Sequence, residues 1–341
     1  TVPPENRQAA MGHEIRLLGK IDPVPGGDIT ITLDSKLQEV AFGEMRGKTG
    51  AVIVSKPASG EILSLLSMPS FDSNLFTLGD TYKPSSQDGK PQDSSEKVYR
   101  SASEVLSDDE NQPLFNRAVS GMYPPGSTFK IVTAAAALET GAIDKETEIE
   151  DTGVLRIGSF SFANWYFTQY GKTEGLLDVI GAIRRSNDIF FYKAAEATGI
   201  EKLGEMAGRF GIANTLGIDL PGEAPGLFPS EVWKKESIGE TWYLGDTYNL
   251  GIGQGYILTT PLQMNAWTEV IANNGTFCQP TVVKTEKCKV KNEKFLKQET
   301  IDLIREGMRQ ACDSGGTGWP LFKFKVQNAK LRVDNENFFT P

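Results

Sequence analysis

The sequence predicts a fold that combines antiparallel strands with helices, and two observations carry this prediction. Residues 50–54 (GAVIV) and 61–68 (EILSLLSM) are strand-like and are joined by a turn at residues 57–60 (PASG), so they form a hairpin that can start an antiparallel sheet. Residues 131–138 are apolar on almost every side, which is typical of a buried helix. Gly141 is suited to end that helix.

The other elements follow from periodicity and turn signals. Residues 28–33 (DITITL) alternate polar and apolar side chains as a strand does, and residues 276–284 are also strand-like. The segments with helical patterns are residues 35–45, 175–185, 189–199, 201–210, 260–273 and 300–312.

Composition along the chain indicates the domain organisation. Residues 1–27 are polar and turn-rich, and we interpret them as the tail of a preceding domain and a linker, with the main domain at residues 28–341. Residues 78–112 are rich in Ser, Asp, Lys and Pro, and such a long loop is either a surface insertion or a lid. Because the chain begins with Thr1 and ends abruptly at Pro341, we interpret it as an internal fragment.

Charge and hydropathy exclude some classes of partner. The net charge is −9 and no block of like charge is long enough for a binding tail, so we expect no nucleic-acid partner. No apolar run approaches the roughly 18 residues that a membrane span needs. In an internal fragment, a missing anchor says nothing about the parent protein.

Histidine and cysteine usage narrows the possible chemistry. The single histidine, His13, lies far from any catalytic-looking segment, which argues against a Ser-His-Asp triad and against histidine-based metal sites. A serine enzyme would therefore need another base, and lysine is the obvious one. The three cysteines lack metal-type spacing. Cys278 and Cys288 could pair across a hairpin, but we expect buried free thiols at these positions and at Cys312.

The candidate chemistry lies where a sharp turn, residues 123–130 (YPPGSTFK), enters the apolar helix. Ser127 and Lys130 are three residues apart and share a helix face. A buried, unpaired ammonium tends to lose its proton, so Ser127 beside Lys130 is a nucleophile beside its base. The structural alternative is that Ser127 caps the helix and that Lys130 extends its ammonium to water.

A second polar turn, residues 186–188 (SND), separates two predicted helices. The Ser186 hydroxyl could relay a proton between Lys130 and the reacting atoms, and Asp188 could orient that relay or bind a substrate amide. Alternatively, Ser186 or Asp188 simply caps the following helix.

Together the two motifs resemble the transpeptidase domain of penicillin-binding proteins, in which Ser-x-x-Lys is followed by a serine triplet. The likeness covers roughly residues 29–320 and is nearest to the class B, monofunctional, elongation-type enzymes, where the third residue of the triplet may be Asp. Further landmarks that match are residues 50–63, 69–72, 115–118, 217–223, 245–247, 251–256 and 260–264.

The resemblance implies an α+β fold with an antiparallel sheet between helical layers and the buried helix at its centre. It implies a peptidoglycan D,D-transpeptidase in which Ser127 attacks D-Ala-D-Ala stem peptides, Lys130 is the base, Ser186 passes a proton to the leaving amine, and Asp188 assists. Penicillins and other β-lactams would acylate the same serine, and no metal or cofactor is needed.

The same resemblance implies partners and a location. A glycosyltransferase and other cell-wall synthesis proteins would act with this protein at the extracytoplasmic face of the bacterial plasma membrane, where an N-terminal segment outside this chain would anchor it. The alternatives are a β-lactamase or D,D-carboxypeptidase of the same fold, which uses water as acceptor, and a non-catalytic penicillin-binding sensor or scaffold.

One motif of the family departs from its usual place. A Lys-Thr/Ser-Gly motif should follow the first two, yet residues 48–50 (KTG) precede the nucleophile, and we interpret them as coincidence. Residues 316–318 (GTG) lack the lysine and match the loop before the motif. We therefore expect the chain to stop a few tens of residues short, to lack the last strands, half of the oxyanion hole and the group that binds the substrate carboxylate, and to be inactive by itself.

Overall fold

The computed structural model describes residues 26–78, 82 and 97–320. Two units are distinguished, and each is described by itself. In the first, residues 1–30, the described residues 26–30 form neither helix nor strand, and the predicted tail of a preceding domain lies almost wholly outside the described residues. The second unit, residues 31–341, contains all the elements below.

Helices dominate this unit, with four antiparallel strand pairs in its described part. The helices are α1 (Ser35–Met45), α2 (Asn74–Thr77), α3 (Ala102–Leu106), α4 (Lys130–Thr140), α5 (Trp165–Tyr170), α6 (Val179–Arg185), α7 (Asp188–Thr198), α8 (Ile200–Arg209), α9 (Glu231–Ser237), α10 (Leu244–Gly251), α11 (Pro261–Ala272) and α12 (Gln298–Ala311). The strands are β1 (Gly50–Lys56), β2 (Glu61–Met68), β3 (Ile149–Asp151), β4 (Val154–Ile157), β5 (Phe160–Ala163), β6 (Gly175–Leu177), β7 (Phe277–Cys278) and β8 (Val290–Asn292). A 3-10 turn, Gly126–Phe129, leads into α4.

The predicted hairpin is confirmed. β1 and β2 pair antiparallel, with Lys56 opposite Glu61 at the turn. Alternate side chains of β2 are buried, so one face of the hairpin lies toward the interior. α1 covers part of that face, where Ala41 packs with Leu66 and Met68. α11 also packs against β1, so the hairpin lies between two helices.

The predicted buried helix, α4, lies in the largest hydrophobic cluster. Its residues from Val132 to Leu138 are all buried, and Gly141 ends it in the left-handed conformation with φ +74°. α7, α8 and α12 pack around it. A side chain at the start of α4 is therefore enclosed by protein, which is the condition that the sequence-based argument about Lys130 required.

Four further predicted helices are confirmed within two residues as α7, α8, α11 and α12. The helix predicted at residues 175–185 is wrong at its start, because residues 175–177 form β6, which pairs with β3. Asp178 sets the later start: its side chain accepts a hydrogen bond from Gly181 N at 2.7 Å and caps α6.

The strands predicted at residues 28–33 and 276–284 are largely wrong. Ile31 forms one isolated bridge with Val283, and in the second segment only β7 is a regular strand. The reason is Asp219, because its carboxylate accepts hydrogen bonds from Val282 N at 2.7 Å and from Val283 N at 2.9 Å. Those donors are no longer free for a regular ladder.

The expectation of free thiols is wrong for two of the three cysteines. Cys278 and Cys288 form a disulfide, with their Cα atoms 5.4 Å apart. The cause is the pairing of β7 with β8, which places Cys278 opposite Val290 and brings the neighbouring Cys288 within disulfide distance. Cys312 has a free thiol and is half-buried.

About half of the predicted insertion at residues 78–112 lies outside the described residues, namely 79–81 and 83–96. Its last part, residues 97–112, is described and contains α3. Among the described residues, none of the helices combines the length and the apolar character needed to cross a bilayer.

Candidate active site

Ser127 lies on the 3-10 turn at the entrance to α4, and its side chain is exposed. Its hydroxyl makes no hydrogen bond with any other described residue, and neither the turn nor α4 has a side-chain cap. The structural alternative, in which Ser127 caps the helix, is therefore wrong. The serine hydroxyl is free to meet a ligand.

The backbone beside Ser127 is held by a neighbouring glycine. Gly126 N donates to the carbonyl oxygen of Gly253 at 2.8 Å. Gly253 has φ +73°, and a Cβ atom there would collide with the Gly126 carbonyl oxygen and lie 2.8 Å from Phe129 Cβ. Only glycine permits this close approach of the two backbones.

Lys130, one residue past the turn, points into the protein and is 3% exposed. Its Nζ donates to Asp188 Oδ1 at 2.6 Å, to the Ser186 carbonyl at 2.7 Å and to Ser186 Oγ at 3.2 Å. These three acceptors match the three donors of an ammonium. The alternative in which Lys130 extends to water is wrong, and so is the expectation that the ammonium is unpaired.

Two opposing effects act on the protonation of Lys130. Burial lowers its pKa because the charged form loses its hydration, and the nearby Asp188 carboxylate opposes this by favouring the charged form. Burial is the larger effect, so the pKa of Lys130 lies below its ordinary value. Lys130 therefore gives up its proton more readily than a surface lysine while it stays beside a carboxylate.

Ser186 occupies a position that usually requires glycine. It ends α6 in the left-handed conformation, with φ +50°, where its N–H bonds to the carbonyl of Ile183 and that of Asn187 bonds to the carbonyl of Ala182. The helix that follows is capped by Asn187, whose Oδ1 accepts from Phe190 N at 2.9 Å. Ser186 does not cap that helix, and its strained backbone presents the hydroxyl to Lys130.

Asp188 lies in the first turn of α7 and is 7% exposed. One carboxylate oxygen contacts Lys130, and the other accepts the backbone N–H of Trp165 at 2.9 Å. The N–H of Asp188 donates to Asn164 Oδ1 at 3.1 Å. The sequence-based prediction missed Asn164 and Trp165, because no local pattern connects them with a residue more than 20 positions away.

The glycine-rich loop near residue 316 lies beside the turn that carries Ser186. Arg185 Nη1 donates to the Gly315 carbonyl at 2.6 Å, and the Arg184 carbonyl accepts from Thr317 N at 3.2 Å. By contrast, Lys48 Nζ donates to the carbonyl of Glu44, in the last turn of α1, at 2.6 Å.

The described residues thus bring together Lys130, Ser186 and Asp188, with Ser127 one helical turn before Lys130. No cluster of three or more His, Cys, Asp or Glu side chains among the described residues is placed to hold a metal ion. A free hydroxyl near a buried lysine, with a second hydroxyl on that lysine, is suited to acyl transfer through a serine ester.

Known proteins with similar sequences and structures share this domain. A family model described as the penicillin binding protein transpeptidase domain matches residues 50–328. The peptidoglycan D,D-transpeptidase MrdA of Acinetobacter baumannii is 37% identical over 277 residues, which cover 81% of this chain and 38% of that protein. MrdA of Escherichia coli K12 is 37% identical over 264 residues, or 77% of this chain and 38% of that protein.

Solved structures give the same result. PBP2 of Pseudomonas aeruginosa, in complex with WCK 5153, superposes with a TM-score of 0.75 at 32% identity, over 89% of this chain and 63% of that one. PBP2 of Helicobacter pylori in its complex with MreC superposes with a TM-score of 0.71 at 29% identity, over 84% of this chain and 50% of that one. The chain spans about two fifths of the length of the two MrdA relatives.

Proposed function

Because the chain belongs to the family of penicillin-binding protein transpeptidase domains, we propose that the complete protein that carries it is a peptidoglycan D,D-transpeptidase. Its substrates are D-Ala-D-Ala stem peptides, and its inhibitors are β-lactams, which bind covalently to the same serine. The transpeptidase domain occupies residues 28–341, after the tail of a preceding domain at residues 1–27. The observation that carries the proposal is the free hydroxyl of Ser127 one helical turn from the buried Lys130, which is bonded to Ser186 and Asp188.

In the proposed reaction, Ser127 Oγ attacks the carbonyl carbon between the two terminal D-alanines while neutral Lys130 takes its proton. The backbone N–H of Ser127 stabilises the oxyanion that forms. The C–N bond then breaks, and Ser186 passes a proton from Lys130 to the leaving D-alanine amine. The acyl group remains on Ser127 as an ester.

In the second half of the reaction, the amine of a neighbouring stem peptide attacks that ester. A new amide bond forms, the bond to Ser127 breaks, and the proton that the attacking amine loses passes to the serine oxygen. The product is a peptide cross-link between two strands of peptidoglycan.

The proposed role of Asp188 follows from its contact with Lys130. When Lys130 accepts the serine proton it becomes an ammonium, and the carboxylate 2.6 Å away stabilises that charge as it develops. The same contact holds Nζ within 3.2 Å of Ser186 Oγ, where the relayed proton leaves. Asp188 thus favours the charged state of Lys130 that forms during the reaction.

We also propose that the protein works with a glycosyltransferase and other cell-wall synthesis proteins. It acts at the extracytoplasmic face of the bacterial plasma membrane, anchored by an N-terminal segment outside this chain. The support is by similarity: one of the matching solved structures is a complex of PBP2 with MreC.

The test is a product analysis with the complete protein that carries this chain. Incubation with a stem pentapeptide and an amine acceptor should release D-alanine and form the cross-linked amide. Ser127→Ala should abolish both products. Ser120→Ala is the matched control, since the Ser120 hydroxyl only donates to the Gly222 carbonyl, and it should retain both.

The other functions give different results in this experiment and in a parallel incubation with labelled penicillin. A D,D-carboxypeptidase releases D-alanine without a cross-link, and a β-lactamase hydrolyses penicillin with rapid turnover in place of a long-lived adduct. A penicillin-binding sensor forms the adduct without processing the peptide. Full activity of Ser127→Ala would overturn the assignment of the nucleophile.

A further inference from the structure

Asn164 lies behind the Lys130–Asp188 pair and joins Asp188 to the buried Asp151. Asn164 has no exposed surface, and its position immediately before α5 is one where an asparagine side chain usually caps the helix. Here the side chain makes no cap. Its oxygen accepts from Asp188 N at 3.1 Å, and its amide donates to Asp151 Oδ2 at 2.8 Å.

The partners of Asn164 fix the orientation of its amide. A backbone N–H such as that of Asp188 can only donate, so the Asn164 oxygen faces it and the amide N–H groups face the Asp151 side chain. Asp151 is 3% exposed and is satisfied by hydrogen bonds: it also accepts from Gly153 N at 2.8 Å and from Glu174 N at 3.0 Å. Asn164 therefore joins two buried groups that no carboxylate or aliphatic side chain of its size could join.

The same segment also contacts the carboxylate of Asp188 directly. The N–H of Trp165, the residue after Asn164, donates to Asp188 Oδ2. The Trp165 indole donates to the Arg185 carbonyl at 3.0 Å, at the end of α6. Two consecutive residues thus hold the backbone and the side chain of Asp188 from one side, while Lys130 contacts it from the other.

We propose that Asn164 is a positioning residue that keeps the Asp188 carboxylate in contact with Lys130 Nζ during acyl transfer. The inference rests on the proposed function, in which Lys130 is the base that activates Ser127. Asn164 touches none of the reacting atoms and acts through Asp188.

The effect of Asn164 on Lys130 should be visible in the pH dependence of acylation. Asp188 stabilises the ammonium of Lys130, so a looser contact lowers the pKa of Lys130 and an added negative charge raises it. Other charged or titratable groups close to the pair are Asp151 on β3, Tyr192 on α7, and Arg185, which is paired with Glu174 at 2.5 Å. None of these side chains changes in the variants below.

The experiment measures the rate of acylation by a chromogenic cephalosporin against pH, in the complete protein. Asn164→Ala should slow acylation on the order of tenfold and move the acidic limb of the profile to lower pH. Asn164→Leu, which is nearly isosteric, fills the same space but leaves Asp188 N without its acceptor. It should move the limb in the same direction.

Thr168→Val is the matched control, because Thr168 Oγ1 donates to the Asn164 carbonyl at 3.1 Å and does not contact the amide. It should leave the profile in place. A purely structural role predicts lower thermal stability and a smaller active fraction with an unchanged profile in every variant. That result would overturn the proposal, and Asn164→Leu keeps it testable if Asn164→Ala does not fold.

Labelling with penicillin distinguishes a failure of the role of Asn164 from a failure of the proposed function. If penicillin labels Ser127 in every variant while the profiles coincide, the role of Asn164 is wrong and the proposed function stands. If penicillin does not label Ser127 in the unchanged protein, the proposed function is wrong, and with it the role of Asn164.

Discussion

The two turns of the candidate site are held in different ways. The turn at Ser127 is fixed through its backbone, where the preceding N–H bonds to the carbonyl of Gly253, while the serine hydroxyl has no hydrogen-bond partner among the described residues. The turn at residues 186–188 has backbone hydrogen bonds too, but it is also held through side chains: both oxygens of Asp188 and all three donors of the Lys130 ammonium have partners. The unbonded group is the proposed nucleophile, and the fully bonded groups are those proposed to move its proton.

This difference predicts different responses to substitution. A change at the backbone-held turn should mainly move Ser127, and a change at the side-chain-held turn should mainly alter the proton affinity of Lys130. Substitutions in each turn, with controls elsewhere in the fold, can therefore test this difference.

The largest effect is expected at Lys130. Lys130→Arg keeps the positive charge beside Asp188, but a guanidinium cannot be deprotonated in a protein, so acylation by labelled penicillin should fall on the order of 10³-fold. Lys130→Met should be equally inactive and also less stable by about 3–5 kcal/mol, because Asp188 is left as an unpaired buried charge. Rapid acylation of Lys130→Arg would contradict the role of Lys130 as base.

A smaller effect is expected at Ser186, with opposite signs for activity and stability. Ser186→Gly removes the relay hydroxyl, so acylation should slow by about 10²-fold. It also relieves a left-handed backbone, with φ +50°, and should stabilise the fold by about 1 kcal/mol. Ala213→Gly is the control for strain alone, since Ala213 has φ +62°.

Ala213→Gly should give the same gain in melting temperature as Ser186→Gly with unchanged acylation. If the two variants behave alike in both measurements, Ser186 has no part in the chemistry.

On the backbone-held side, Gly253→Ala should act through shape. A Cβ atom at Gly253 collides with the Gly126 carbonyl and requires φ +73°, so the Ser127 turn must shift, and acylation should slow about tenfold with an unchanged pH profile. Gly208→Ala is the control, because a Cβ atom there, in the last turn of α8, meets nothing within 4 Å. It should gain about 0.5–1 kcal/mol without any effect on acylation.

No effect on acylation is expected from a change at Glu269, which lies on α11 and is 5% exposed. Burial raises its pKa from 4.5 to about 7, so the folded state binds the proton more tightly than the unfolded chain. Its contribution to stability is therefore greatest below pH 4.5 and falls by about 3 kcal/mol as the pH rises to about 7.

Glu269→Gln should remove that slope from denaturant titrations across the same pH range, and the acylation rate should stay unchanged. A slope that persists in Glu269→Gln would assign the pH dependence to another group.

The sequence predicts one side of the comparison better than the other. The turn, the buried helix and Ser127–Lys130 are local, so chain-turning residues and an apolar run were sufficient to find them. The residue types of the triplet at residues 186–188 also identify it, but they do not predict its hydrogen bonds to Asn164 and Trp165. Those contacts arise only when separate segments fold against each other.

Long-range side-chain contacts also explain the errors in the fold. The alternating pattern of residues 28–33 is typical of a strand, and Ile31 does form a bridge with Val283. The carboxylate of Asp219, however, binds the N–H groups of Val282 and Val283, so a regular ladder does not form there. Likewise, the register between β7 and β8 that brings Cys278 to Cys288 cannot be derived from the spacing of two cysteines. In each case a group distant in sequence decides the local structure.

The roles of Ser127 as nucleophile and Lys130 as base are tested by mapping the covalent adduct of penicillin on the complete protein by mass spectrometry. We expect one long-lived ester on the peptide that contains Ser127, its loss in Ser127→Ala, and its very slow formation in Lys130→Arg. An adduct on another residue, or equal labelling of Ser127→Ala, would contradict the assignment of Ser127 and Lys130 as nucleophile and base.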